Sequence, residues 1–136
     1  MSIEEGLVAE LLADSAVATI IGTKVHPEAM PQGSDLPAIV YSLTSSVREV
    51  GLDGPSAFVQ SRLRVDCWST SYGGSKTLAN AVRAALNGIG LASPRTLGSE
   101  PVQLVYLDNE SDLSSIEGDR RDYRVSQDWI VIHLET

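Results

Sequence analysis

The clearest pattern of polar and apolar positions lies between Leu52 and Gly88, and it predicts a turn, a strand, a loop and a helix without a gap. Up to Ser69, apolar and mostly polar positions alternate. Leu63, Val65 and Cys67 share an apolar side, and the other side carries Gln60, Arg62, Arg64, Asp66 and Trp68. Such alternation is typical of a half-buried strand. From Ser75 to Leu86 apolar residues recur at helical spacing, which predicts a helix with one buried face.

Similar patterns predict the other elements. An apolar stripe from Ile3 indicates an N-terminal helix, and a short second helical segment begins at Asp14 or Ser15 and ends at Gly22. The proline-rich stretch from Thr23 to Pro37 is expected to be an ordered surface loop. Further strands are predicted at Ala38–Thr44, Val102–Leu107 and Tyr123–Leu134, and a long hairpin from Ile39 to Ser69 has a projecting tip at Ser46–Phe58.

These elements predict one α+β domain over residues 1–136 in the order α-β-β-α-β-β. We expect an antiparallel four-stranded sheet, two main helices packed on one face and a long projecting β-hairpin. The length suits a single core. The last strand is apolar on both sides between Trp129 and Ile132, so we expect the helices to cover one side and another subunit to cover the other.

Composition narrows the possible functions. The chain is 43% hydrophobic and 21% charged, as folded proteins are, and its formal net charge is -8. Its ten Lys and Arg residues are scattered, which argues against nucleic-acid binding because phosphate contacts need clustered cations. The acidic start of the sequence does not resemble a signal peptide, and no apolar run approaches membrane-spanning length. We therefore expect synthesis in a cytoplasm-like compartment.

Candidate catalytic and metal-binding residues are few. The single cysteine, Cys67, is expected to be a small core residue, His26 a loop residue and His133 a strand-end residue. Four zinc ligands at close spacing are not available, and no nucleophile motif occurs. We therefore predict no catalytic, cofactor-binding or metal-binding residues.

Two segments superficially resemble ion-binding or phosphate-binding loops. Tyr72–Thr77 is rich in glycine but lacks the spacing of a phosphate loop. The acidic, turn-like stretch from Asp108 to Asp122 lacks the ligand offsets of a calcium loop and is interpreted as a solvated charged loop. Within it, the Arg120–Arg121 pair is interpreted as part of a surface ion cluster.

Mixed charges mark one strand face as a candidate contact surface. Arg62 and Arg64 share that face with Asp66, and Arg48 stands next to Glu49. Such charges suit pairing between subunits, where they set register and partner choice more than affinity. An ordinary solvated sheet face is an equally good explanation of the pattern.

Several segments, in their order and spacing, resemble a known family. They are the N-terminal helix, Val25–Pro27, Asp35–Tyr41, Leu52–Pro55, Arg64–Trp68, Ala79–Leu86 and Tyr123–Trp129. In this layout the chain resembles, over nearly its full length, the tail-terminator or tail-completion proteins of long-tailed bacteriophages and gene transfer agents.

The resemblance implies a structural virion protein at the head-proximal end of the tail, assembled in the bacterial host cytoplasm. It implies a homohexameric ring that caps the tail tube, stops its polymerisation and presents its other face to the head connector. DNA would pass through without specific binding, which an acidic lumen favours because like charges repel. The subunit or partner interface is expected to include Arg48, Glu49, Asp53, Arg62, Arg64, Asp66 and Trp129.

Two alternatives remain open. One is a head-tail connector or stopper of the same machinery, which composition does not distinguish from a terminator. The other is a small α+β enzyme or ligand-binding module with its site under the Thr23–Pro37 loop. That alternative predicts a deep pocket with convergent polar groups.

Overall fold

The computed structural model describes residues 3–28, 36–51, 54–89, 95–97, 100–117 and 120–134, and these residues form three helices and six strands. The helices are α1 (Ile3–Ala13), α2 (Ser15–Ile21) and α3 (Tyr72–Leu86). The strands are β1 (Val25–Pro27), β2 (Ala38–Gly51), β3 (Gly54–Ser69), β4 (Arg95–Leu97), β5 (Glu100–Glu117) and β6 (Arg120–Leu134).

The six strands form one mixed sheet in the order β1-β2-β3-β6-β5-β4. β1 runs parallel to β2, and the other neighbouring pairs are antiparallel. The prediction of a wholly antiparallel four-stranded sheet with two main helices is therefore wrong. β1 and β4 have three residues each, too few to show alternation, and β1 lies in the stretch predicted to be a loop.

Two long hairpins dominate the sheet, one formed by β2 and β3 and the other by β5 and β6. Their strands run through segments predicted to be loops: β2 continues to Gly51, and β5 continues through the acidic stretch to Glu117. β3 and β6 pair from Phe58 opposite Leu134, at one end of the sheet, to Ser69 opposite Tyr123, at the other. The β2–β3 hairpin extends past the Phe58 end, and the β5–β6 hairpin extends past the Ser69 end. The two hairpins therefore extend towards opposite ends of the sheet.

The core lies between the three helices and one face of the sheet. The predicted helix positions are close to those observed: Asp14 caps α2, Ser71 caps α3, and Gly22 closes α2 with a positive φ of 64°. The buried core cluster includes Leu7, Leu11, Val17, Ile21, Ile39, Leu63, Val65, Cys67, Leu78, Val82, Leu86, Val102, Val105, Val125, Trp129 and Val131. The helices thus leave the other face of the sheet without a helical layer among the described residues.

Polar contacts also join α3 to the second hairpin. Tyr72 and Lys76 both donate to the carboxylate of Asp112 on β5. These hydrogen bonds, that from Lys76 first, hold the pKa of Asp112 below its usual value. The first turn of α3 is thereby attached to the part of β5 that was predicted to be a solvated loop.

Candidate subunit interface

The face of the sheet opposite the helices, called the open face here, carries the charged residues of β3. Arg62, Arg64, Asp66 and Trp68 occupy alternate positions there because successive side chains of a strand point to opposite sides. The register places Ile130, Asp128, Ser126 and Arg124 of β6 directly opposite them, in that order. The structure therefore brings the predicted polar face of β3 against a second polar strand.

Three ion pairs connect the strands of the open face. Arg64 Nε lies 3.8 Å from Asp128 Oδ1, and Arg124 Nη1 lies 3.7 Å from Asp66 Oδ2. Arg62 Nη1 donates a 2.8 Å hydrogen bond to Asp108 Oδ2 on β5, and this bond raises the pKa of Arg62 further above its already high value. Since β6 lies between β3 and β5, the Arg62 side chain crosses the central strand beside Ile130.

The open face therefore balances its charges. Each of its three described arginines has a carboxylate neighbour, so no surplus of positive charge remains to bind phosphate. Ile130 is only 2% exposed although no described helix covers it, because its neighbours on β3 and β5 carry long side chains. The last strand was predicted to be covered by helices on one side and by another subunit on the other. On that second side, Ile130 is covered by side chains of the same subunit.

One corner of the open face has incomplete hydrogen bonding. The Arg124 guanidinium lies over the Trp68 ring, 5.0 Å from its centroid. Asp66 Oδ1, Trp68 Nε1 and Arg124 Nε are buried, and none has a hydrogen-bond partner in the described part of the chain. Buried polar atoms are normally paired, so this corner is less well satisfied within one subunit than the rest of the face.

The other residues expected at an interface lie elsewhere. Arg48 is exposed on β2, opposite Val59. Glu49 belongs to β2, but its side chain lies outside the described residues, as does the whole of Asp53. Trp129 is fully buried in the core, where its Nε1 donates to Gln127 Oε1 at 3.2 Å. It packs inside the subunit because odd-numbered residues of β6 face the helices.

The open face also includes residues that the sequence analysis did not single out. Arg124 and Asp128 alternate along β6, and that alternation was the signal that could have placed them beside the polar side of β3. Asp108 lies in a stretch that the sequence predicts to be a loop. In the structure it belongs to β5, at a bulge between Leu107 and Asn109 that shifts the register of the strand.

The cysteine, the two histidines and the glycine-rich segment all lie within helices or strands. Burial raises the pKa of the Cys67 thiol far above its usual value, which suits an inert core residue. His133 is a buried residue near the end of β6, with its Nε2 2.8 Å from Ser61 Oγ, whereas His26 lies in β1 rather than in the predicted loop. Tyr72–Thr77 forms the start of α3, with Ser71 Oγ accepting from Gly74 N.

Two further features are absent from the described residues. These residues contain no cluster of three or more His, Cys, Asp and Glu side chains arranged to hold a metal ion. None of the described helices has the length and apolar character needed to cross a membrane.

A shallow acidic hollow lies beside Pro27 and Glu28 of the Thr23–Pro37 stretch. It has a volume of about 330 Å³ and is lined by Glu4, Glu5, Pro27, Glu28, Tyr41, Ser42 and Leu43. Residues 29–35 of the stretch lie outside the described residues. The described wall supplies carboxylates, one phenol and the hydroxyl of Ser42, but no histidine or cysteine. It therefore offers neither an imidazole as general base nor a thiol as nucleophile.

Comparison with known proteins identifies the family. The family model described as "Tail completion protein gp17" matches residues 5–133. No significant match was found among curated proteins. A chain from a solved structure titled "Virion of native gene transfer agent (GTA) particle" has the same fold, with a TM-score of 0.70 and 17% sequence identity over 95% of this chain and 92% of that one. This chain belongs to the tail completion protein gp17 family, and so to the structural proteins of phage-type tails.

Proposed function

We propose that this protein is a tail terminator. In this role it forms a homohexameric ring on the finished end of the tail tube, stops further polymerisation and provides the joining surface for the head connector. The observation that carries the proposal is the family match over residues 5–133. The common fold with a chain of a gene transfer agent particle is consistent with it. The protein then acts at the head-proximal end of the virion, after assembly in the host cytoplasm, and without catalysis.

The charges of the subunit suit a ring through which DNA passes. The arginines of the open face are paired with carboxylates, and three glutamates line the acidic hollow. A surface of this kind offers few sites to a phosphate backbone and repels a polyanion where the acids dominate. The open face, with Arg62, Arg64 and Asp66 at its centre, is the proposed contact region between subunits or with the adjoining tail and head proteins.

Deletion of the gene tests the proposed role. Without a terminator, we expect tails of uncontrolled length and heads without attached tails, because nothing ends tube growth or offers the joining surface. Electron microscopy of the particles measures both outcomes, and a plasmid copy of the gene should restore normal particles. Particles of normal tail length and attachment in the deletion strain would refute the role.

The alternative within the same machinery is a head-tail connector or stopper. The two roles differ in position, since a terminator contacts the tube directly and a stopper stands on the head side of it. Labelling the protein in intact particles and in isolated tails separates them. A label that stays with isolated, capped tails supports the terminator, and one that stays only with heads supports the stopper.

A further inference from the structure

Next to each three-residue edge strand lies a long strand, β2 or β5, whose outer edge is largely unpaired within the described part of the chain. β1 covers only Ile39–Tyr41 of β2, and beyond Tyr41 the described residues supply no outer partner strand. On the other side β4 covers only the first three residues of β5, and the turn at Gly88–Ile89 bonds to Val105. Further along β5, no described strand pairs with the outer edge. Unpaired edges of this length are sites for pairing with another chain.

The two edges differ in character. From Ser42 to Val47, β2 carries no charged residue, and Leu43 and Val47 are 42% and 60% exposed. β5 carries Asp108, Glu110 and Asp112 along its open part, followed by Leu113, which is 44% exposed. Charged side chains discourage an edge from pairing with a copy of itself, because like charges opposite each other are destabilising. The β2 edge has no such protection and does not repel an acidic strand.

The directions of the two edges are also complementary. Successive antiparallel pairings from β2 through β3 and β6 make β5 run opposite to β2. Rotation around a ring axis preserves the directions of strands that run along that axis. In a ring whose strands are so aligned, β5 of a second copy therefore meets β2 of the first copy in the antiparallel sense. Contact between two different edges is heterologous, and heterologous contacts are those that close into rings.

We infer that in the ring the open β5 edge of one copy pairs antiparallel with the Ser42–Val47 edge of the next, which extends the sheet from subunit to subunit. This inference rests on the ring of the proposed function. Val47 and Leu113 lie on the open face of their strands, so a register that brings them together covers both side chains. The open stretches extend towards opposite ends of the sheet, so neighbouring copies are staggered along the strands, as strands of closed sheets are.

Cysteine cross-linking tests this contact, since the native Cys67 is fully buried and serves as an unreactive background in the wild-type protein. We would treat the double variant Val47→Cys/Leu113→Cys with a short bismaleimide and separate the products under denaturing conditions. The expected result is a ladder of covalent oligomers up to the ring number. Each single variant should stay uncross-linked, because the same residue of two neighbours does not meet in a heterologous contact.

The matched control is Val47→Cys/Leu12→Cys, in which the second cysteine replaces an exposed leucine of α1, a helix and not a strand of the sheet. A ladder equal to that of the control would overturn the inference. Dimers from Val47→Cys alone would overturn it too, because they would indicate two β2 edges paired across a two-fold axis. Native mass spectrometry of the same samples separates the two proposals. A ring without specific cross-links contradicts the edge pairing alone, whereas a chain that stays monomeric at every concentration contradicts both.

Discussion

At the scale of single residues, one polar side chain in the core makes three hydrogen bonds. Gln127 is 0% exposed on the helix-facing side of β6. Its Nε2 donates to the backbone oxygen of Ala79 on α3 at 3.1 Å and to Glu110 Oε2 on β5 at 2.9 Å, and its Oε1 accepts from Trp129. One amide thus joins the central strand, an outer strand and the main helix.

Replacing Gln127 with alanine should therefore destabilise the protein strongly. The change removes the partner of Trp129 Nε1, leaves Glu110, among the described residues, with only its ion pair to Arg83, and opens a small cavity. Together these losses cost about 2–4 kcal/mol. Urea denaturation at fixed protein concentration measures the loss. The control Gln60→Ala, at an exposed position of β3, should change the free energy of unfolding by less than about 0.5 kcal/mol. Equal effects of the two changes would contradict the role of Gln127.

The predictability of such residues from sequence was uneven. The alternation of β3 correctly placed Cys67 inside and Arg62 outside. Trp129 was expected at an interface because β6 is apolar on both sides near its end. The structure shows Trp129 in the core, while Ile130 is sheltered by side chains of neighbouring strands on the open face. Such shelter depends on which strands become neighbours, and local sequence does not contain that information.

At the scale of elements, α3 was predicted well because its signals are local. The apolar stripe depends on residues within a few positions of each other, and so does the Ser71 cap that the structure shows. β5 was predicted only as far as Leu107, since its later residues are mostly polar and acidic and do not favour strands by themselves. Pairing with β6 holds them in the strand, and that pairing is a long-range interaction.

The start of α3 offers a sharp comparison between two adjacent glycines. A methyl group added at Gly73 meets nothing within 4 Å, so Gly73→Ala should stabilise the protein by about 0.5 kcal/mol by reducing the freedom of the unfolded chain. At Gly74 the same methyl lies 2.4 Å from Ser69 Oγ and 2.7 Å from Ser71 Oγ. Gly74→Ala should displace the capping hydroxyl and destabilise the protein by about 1 kcal/mol.

Thermal or urea denaturation of the two variants beside the wild type checks this prediction. The expected order of stability is Gly73→Ala, wild type, Gly74→Ala. If both alanines stabilise the protein equally, the hydroxyls of Ser69 and Ser71 do not restrict this turn.

At the scale of the whole molecule, the sequence predicted the family but not the architecture of the sheet. The order and spacing of segments pointed to tail-completion proteins, and the family match confirms this. The extent and the mixed character of the sheet were missed, because three-residue edge strands and polar hairpin ends carry weak local signals. Those missed parts form the open edges from which we infer the contact between subunits.

The central claim is that the protein works as a ring on the end of the tail tube. Native mass spectrometry of the purified 14.5 kDa chain, alone and after incubation with tail tubes, tests this claim most directly. The account predicts a complex of six copies, free in solution or released from the tube ends. A protein that remains a single chain in both conditions, or that stops at a dimer, would contradict it.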